Sequence, residues 1–467
     1  MLRDIVRKEI LENITSPKFV FTFLLCAILI LLSMYTGINN YRAELNEYNA
    51  AVALNMKNLE GQPSYQALAG LGTKINKQPQ VLSTIITGIQ QAVGRQASVN
   101  IAYDPSLIES KYSSNPVFAI FGELDLTFIV KIVLSLFAIL FTYDAIVGEK
   151  ERGTLKLALT NRVPRDRLIL GKMIGGFISL MLPLVIPMLL SVIMLVVYPG
   201  IQLTGDDWYR IGLIFILFLL FLSVFFTLGL FVSTRTSRSS TSLLVLLFIW
   251  VTFVTVIPKA AVLTAGQINP IPSVHEVTAQ KDAFLQEIQG QAQPMIGEWI
   301  QENPGDGTPE WQEKFRSYIE ELQQDLTSQI DQKNKEFEDE YKTQRTEQQV
   351  IAINISRISP ASALQFASMS LGKTGIDEHE RYLSVIKEYK RPWTEWANRK
   401  MMQNLNLADP MGVQPKPDIS DMPKMDFRPE SLSASFMRAL PDFVVMILFI
   451  ILFFTGAFVS FLKYDVR

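Results

Sequence analysis

The sequence predicts an all-α membrane protein: six transmembrane helices, an amphipathic amino-terminal helix at the membrane interface and a mainly helical extracytoplasmic domain. Three observations lead there. Of 467 residues, 49% are hydrophobic, and they gather in runs of about 20, enough to cross roughly 30 Å of hydrocarbon at ~1.5 Å per residue. Between two such runs lies a short polar stretch, residues 148–172, reading GEKERGTLKLALTNRVPRDRLILGK. Short loops rich in Lys and Arg stay on the cytoplasmic side, because carrying them across a bilayer is unfavourable; this one orients the others. Basic residues also stand at each remaining end that this orientation places inside: Arg3, Arg7, Lys8 and Lys18 before the first run, Arg235 and Arg238 between the fourth and fifth, and Lys463 and Arg467 after the last.

In residues 1–18, Leu2, Ile5, Val6, Ile10 and Ile14 fall on one side of a helical wheel and Arg3, Asp4, Arg7 and Lys8 on the other. That pattern fits a helix lying in the inner interface. Residues 19–36 form the first span. Basic residues precede its apolar core, as in a secretory signal, but no small-x-small cleavage site follows, so it is expected as a retained anchor. Residues 37–125 form a first extracytoplasmic segment, a small domain or half of one. It holds a helical-looking stretch around 81–93 and a strand at 98–103, with a turn signal at Asn115-Pro116. The second span covers 126–147, with Lys131 near enough to its outer end to snorkel. The third covers 173–198 and contains Pro183 and Pro187, which are expected to kink or break it. The fourth (209–233) and fifth (241–258) are joined by a tight polar turn.

Residues 259–437 form the second extracytoplasmic segment. Two helical regions, 274–301 and 309–355, flank Asn303-Pro304-Gly305-Asp306-Gly307 and are expected to pair as a hairpin. In the second, Trp311, Phe315, Tyr318, Leu322, Leu326, Ile330, Phe337 and Tyr341 recur mostly every three or four residues, a single apolar stripe on a charged helix. It reads either as a solvated spacer or as an arm that meets a partner. Further helix is expected at 358–371 and 378–402, then an extended tether over 409–429 punctuated by Pro410, Pro415, Pro417, Pro423 and Pro429. The last span covers 438–462.

Composition excludes several functions. Net charge is only −2, so nothing points to nucleic acid. The single cysteine, Cys26, excludes an internal disulfide and a Cys-rich metal site. His275 and His379 are each followed by Glu but lack the second histidine of a zincin motif; both read as surface residues, and no metal or other cofactor is expected. No G-x-x-x-x-G-K-[ST] pattern occurs, so any ATP that drives this protein is bound by another chain. Lys131, Asp144 and Asp442 all lie near span ends. That counts against a proton relay and against an intramembrane aspartyl protease, which bury ionisable groups.

The loop 148–172 carries the functional signal. Gly153 permits a helix break and Thr154 can cap the next helical piece. Leu155, Leu157 and Leu159 would be exposed unless a cytosolic protein covers them or they dip into the lipid interface. Glu149, Glu151, Arg152, Gly153 and Thr154, then Val163-Pro164-Arg165, then Gly171-Lys172 resemble the signature region of ATP-binding-cassette (ABC) type-2 family permeases. The resemblance covers the membrane part, under half of the chain. The two outer segments depart from the compact core of that family and look like insertions in permeases of gliding-motility, sodium-efflux and copper-enzyme-maturation systems.

The resemblance implies a non-enzymatic permease subunit in a bacterial inner membrane, with both termini cytoplasmic. It implies pairing with a second copy or a paralogue and with a cytosolic ABC ATPase dimer that binds the ATP and drives export. It assigns ATPase coupling to Glu149, Glu151, Arg152, Gly153, Thr154, Arg162, Pro164, Arg165 and Lys172. The alternative is a membrane-anchored scaffold or assembly factor that binds a periplasmic or envelope protein through its outer domain. A third reading joins them: an ATP-driven machine that transmits motion rather than solute.

Overall fold

The computed structural model describes residues 2–90, 94–101, 105–108, 125–160, 164–305, 308–404 and 416–464. The chain opens on α1 (Leu2–Ile14). Ser16 then caps α2 (Pro17–Glu60) by accepting from the Phe19 amide at 3.2 Å, with Pro17 in the first turn, where its missing N–H costs nothing. At 44 residues, α2 is about 66 Å long, twice the thickness of the hydrocarbon core. Its second half therefore leaves the membrane and carries a head domain.

The head continues with α3 (Tyr65–Leu71) and an antiparallel sheet of β1 (Thr73–Asn76), β2 (Gln96–Val99) and β3 (Ser106–Ile108) in the order β1-β2-β3. Thr73 pairs with Val99, and Gln96 with Ile108. Of the expected helical stretch at 81–93, Val81–Thr84 is a single 3₁₀ turn and 91–93 lie outside the described residues. The expected strand at 98–103 begins and ends earlier, at Gln96 and Val99.

The membrane part follows as α4 (Leu126–Arg152), α5 (Thr154–Thr160), α6 (Arg165–Val197), α7 (Gly205–Arg235) and α8 (Ser239–Ile268). With α2 and α13 (Leu432–Leu462), six helices are long and apolar enough to cross a bilayer. Their burial is uneven. The apolar windows of α4 and α7 are 61% buried, those of α8 and α13 only 17% and 22%. α4 and α7 are thus the centre of the bundle, and α8 and α13 present apolar faces outward. Of the expected kink or break, the break does not occur: α6 runs as one helix through Pro183 and Pro187. Four residues apart, the two prolines share its buried face.

Next in the chain come α9 (Val274–Glu302) and α10 (Pro309–Ser356), then α11 (Pro360–Gly372). The sequence pattern assigns α11 to the outer segment. The structure places it in the bundle core, where Ala363, Leu364, Ala367 and Leu371 are buried with residues of α7 and α13. At 13 residues it is too short to span, so a length criterion passes over it. The Ser359 hydroxyl caps it and also donates to the Phe253 carbonyl in α8. That carbonyl lies in a π-helical turn, Thr252–Val256, and Pro258 lacks the N–H that would otherwise reach it.

The first outer segment and the later part of the second, residues 376–429, form one head. α12 (Ile376–Gln403) buries Tyr382, Ile386, Trp393 and Trp396 against Leu59, Leu68, Ile75 and Val99. The proline-rich stretch expected as a tether is, over 416–429, a docked strap. Tyr389 Oη donates to the Pro423 carbonyl at 2.6 Å, Trp396 Nε1 to Asp421 Oδ1 at 3.1 Å, and Lys400 pairs with Asp421 at 2.9 Å. Residues 409–415 lie outside the described residues.

Contacts divide the chain into two bodies, Met1–Thr255 with Ser359–Arg467 and, separately, Val256–Ile358. The second contains the expected helical pair, α9 with α10. Trp299 stacks on Tyr318 at 5.1 Å and packs on Phe315 at 5.4 Å, and Lys281 pairs with Glu338 at 2.8 Å.

One buried cation ties the head to the bundle. Arg210, fully buried near the start of α7, donates from Nε to Asp206 at 2.7 Å, from Nη1 to the Leu371 carbonyl and Ser435 Oγ at 3.0 Å each, and from Nη2 to the Glu430 carbonyl at 2.7 Å. Lys373 adds a 2.9 Å pair to Asp206. Arg210 does not stand out in the sequence, because it lies at a span boundary beside Asp206 and Asp207. Arg210→Met leaves those acceptors unpaired, which for a buried charge network costs about 3–5 kcal/mol. The thermal midpoint of the detergent-solubilised protein should fall by several degrees, and Arg210→Lys should restore little of it, since one ammonium cannot reproduce the guanidinium fork.

Within the head, Lys77 is buried and stands 5.4 Å from the Tyr382 ring centre and 5.3 Å from that of Phe427. Burial pulls its ammonium down to about 8, despite Glu378, which favours the charge. Between about 8 and the ordinary lysine value of 10.5, the unfolded chain holds the proton and the folded head does not. Stability therefore rises with pH across that window. Thermal unfolding from pH 8 to 10 should show the rise in the native protein and a flatter profile in Lys77→Met.

Candidate functional site

At the end of the bundle opposite the head, loop 148–172 is built from two short helical pieces. The last turns of α4 stop at Gly153, whose φ of +74° is the left-handed conformation that closes a helix. Thr154 then opens α5. A side chain larger than hydrogen at 153 would be strained there.

Several helix ends are bonded to this loop or to the last turn of α4 just before it. The Ile146 and Val147 amides both donate to Ser233 Oγ of α7 at 3.1 Å. Lys150 Nζ donates to the Thr234 carbonyl at 2.5 Å and the Thr236 carbonyl at 3.3 Å, satisfying the free carbonyl end of α7 and complementing its dipole. Glu151 accepts from the Ser239 amide at 3.0 Å and hydroxyl at 2.5 Å, which caps α8. Arg165 Nη1 donates to the Leu462 carbonyl at 2.7 Å and the Tyr464 carbonyl at 2.9 Å, which closes α13. Lys18 pairs with Asp144 at 2.9 Å.

The centre of this arrangement is Lys172. Only 7% of its side chain is exposed, and it pairs with Glu149 of the loop at 2.9 Å and Glu9 of α1 at 3.3 Å. Burial holds the Glu9 carboxyl above its ordinary range, against the pull of Lys172. α1 reaches this depth because Gly171 and Gly175, four apart on α6, leave room for it: a Cβ at either would run into Ile5 or Glu9.

The expected coupling residues thus divide into two groups. Glu149, Glu151, Arg165 and Lys172 hold the platform together. Arg152, which donates within its own turn to the Gly148 carbonyl at 3.1 Å, is exposed, as are Thr154 and Pro164. Arg162 and the side chain of Leu159 lie outside the described residues. Leu155 is buried in the bundle, while Leu157 is 65% exposed. The sequence reading missed Glu9, Lys150, Ser233 and Ser239. Glu9 carried a usable signal, being an acid on the helix that precedes a basic loop. The two serines carried none, because their role depends on which helix ends converge. Among the described residues no cluster of His, Cys, Asp and Glu is arranged to hold a metal.

The fold is that of a polytopic α-helical membrane protein. The family model for ABC-2 family transporter protein matches residues 3–466, and the chain belongs to that family. The match runs well beyond the membrane part and takes in both outer segments. Among curated proteins, the chain is similar to the probable ABC transporter permease protein NosY of Stutzerimonas stutzeri, 33% identical over 145 residues, which is 30% of this chain and 51% of that protein. It is also similar to NosY of Pseudomonas aeruginosa, 33% identical over 153 residues, 31% of this chain and 54% of that protein. The chain spans about half the length of these relatives.

Lys172→Met leaves Glu9 and Glu149 facing each other with their neutraliser gone, at a cost of roughly 3 kcal/mol. α1 should come off α6, so that trypsin cuts faster at Arg7 and Lys8 in vesicles open at the loop end. Adding Glu9→Gln should recover part of the protection.

Proposed function

We propose that this chain is the permease subunit of an ATP-driven ABC transporter. It pairs with a second copy or a paralogue and receives a cytosolic ABC ATPase on the loop platform, which places the loop and both termini on the cytoplasmic face of a bacterial inner membrane. ATP is bound and hydrolysed by the separate subunit, in keeping with the missing P-loop pattern. Family membership supports the transporter role. The ATPase role of the loop rests on one observation: Lys172, buried between Glu9 and Glu149, makes the loop and α1 a single unit that still exposes Arg152, Thr154 and Leu157.

A push on those exposed residues has a defined route. Lys150 and Ser233 carry it to α7, Glu151 to α8, Arg165 to α13 and Lys172 to α1. Export of a solute and movement of the outer domains are two uses of the same stroke. The second is favoured by Arg210, which fastens the head to the opposite end of α7. In the scaffold reading, the spans only anchor the chain, and an envelope partner binds through the outer domain or hairpin.

Co-purification tests this. Arg152→Glu with Leu157→Asp changes only exposed side chains and should reduce recovery of the ATPase at least tenfold while the permease remains folded. Undiminished assembly and ATP turnover would remove the docking role from this loop and favour the scaffold.

A further inference from the structure

The head contains a small recess that the transport reading does not use. Lys77, Gln90, Arg95, Lys373, Thr374 and His379 line it. Two backbone bonds hold its walls: the Ile89 amide to the Thr374 carbonyl at 3.0 Å, and the Lys77 amide to the Arg95 carbonyl at 2.8 Å. The free space is about 10 Å³, room for one water-sized guest.

The lining is polar and unsatisfied. Gln90 is 5% exposed, and among the described residues neither its amide nitrogen nor its amide oxygen has a hydrogen-bond partner. Thr374 is 2% exposed, and its hydroxyl also lacks one among them. Buried polar groups left this way cost free energy, and in native proteins a bound group usually answers them.

Charge selects the guest. Arg95 is neutralised by Glu44 at 2.6 Å, and Lys373 by Asp206 at 2.9 Å. Lys77 has no ion-pair partner among the described residues; Glu378 favours its charge through space and Arg95 opposes it. Among the described residues no carboxylate lines the recess. An ammonium, an amide N–H and a hydroxyl are all donors. A water would satisfy the amide and the hydroxyl but leave the lysine charge uncompensated. A monatomic anion reached by all three would accept from each and supply the missing charge, while the Gln90 amide oxygen, itself an acceptor, turns to another partner.

We infer that this recess is a binding site for a halide-sized anion, chloride in the cell, held by Lys77, Gln90 and Thr374. The site joins β1 and its neighbours to the 373–375 turn, so occupancy stabilises the head. It sits beside the Lys373–Asp206 pair at the start of α7, which places a bound ion next to the contact that fastens head to bundle.

The test uses full-length protein in detergent at constant ionic strength, with sodium gluconate replaced stepwise by sodium chloride or sodium bromide. The thermal midpoint should rise saturably with either halide, since a ligand that binds only the folded state stabilises it by mass action. Lys77→Met should abolish the rise, and Gln90→Leu should weaken halide affinity several-fold while leaving the fold intact. Crystals grown in bromide should show an anomalous peak within hydrogen-bonding distance of Lys77 Nζ. Equal midpoints in gluconate and halide, a rise that survives in Lys77→Met, or an ordered water in place of bromide would each overturn the assignment.

Discussion

A single ammonium between two carboxylates sets the geometry of the loop end. Lys172 lies on a spanning helix, Glu149 on the loop before it and Glu9 on the helix that opens the chain. Burying three charged groups is not an efficient source of stability, since an apolar cluster of equal volume often does as well. What the charges provide is register. Apolar contacts let α1 slide or rotate along α6, whereas a buried lysine is satisfied in one alignment only. Gly171 and Gly175 make that alignment possible by bringing the two backbones close.

The opposite end of the bundle uses the same device. Arg210 collects the end of α11, the start of α13 and Asp206 of its own helix. Between these two charged ends, α7 is one helix of 31 residues, about 46 Å long. Its flanks are mostly apolar side chains packed in the centre of the bundle, and the hydroxyls of Ser223 and Thr227 bond to carbonyls of the same helix. Such a core is stiff. A rigid rod held at one end by the buried Arg210 and at the other by half-buried Lys150 and by Ser233 is a direct link between loop and head, and it passes through the least exposed part of the bundle.

Much of this was legible in the sequence. The six spans were visible as runs of sufficient apolar length, and the helical pair as a stripe with helical period interrupted at Asn303-Pro304-Gly305. The misses have physical causes. α11 is too short for a length criterion and too small-sided for a hydropathy peak, yet it is buried because Ala363 and Ala367 allow close approach to its neighbours. The strap at 416–429 reads as a linker because prolines forbid helix, but Tyr389 and Trp396 hold it through its carbonyls and side chains, which proline does not remove. Pro183 and Pro187 signal a break in an isolated helix, but α6 continues through both where they are packed into the bundle. At the loop, residue types were readable and partners were not. Glu149 and Lys172 are 23 positions apart, and nothing in their spacing announces that Glu9 joins them from the amino-terminal helix.

The mechanism turns on which side of the membrane the loop faces. The lone cysteine, Cys26, is buried, so Cys26→Ala provides a background in which one exposed cysteine at a time can be labelled. A membrane-impermeant maleimide applied to cells expressing this chain alone should react with Lys74→Cys on the head of intact cells. It should react with Lys156→Cys on the loop only after the membrane is permeabilised. Labelling of Lys156→Cys in intact cells would place the loop outside, beyond the reach of any cytosolic ATPase, and would contradict the account at its base.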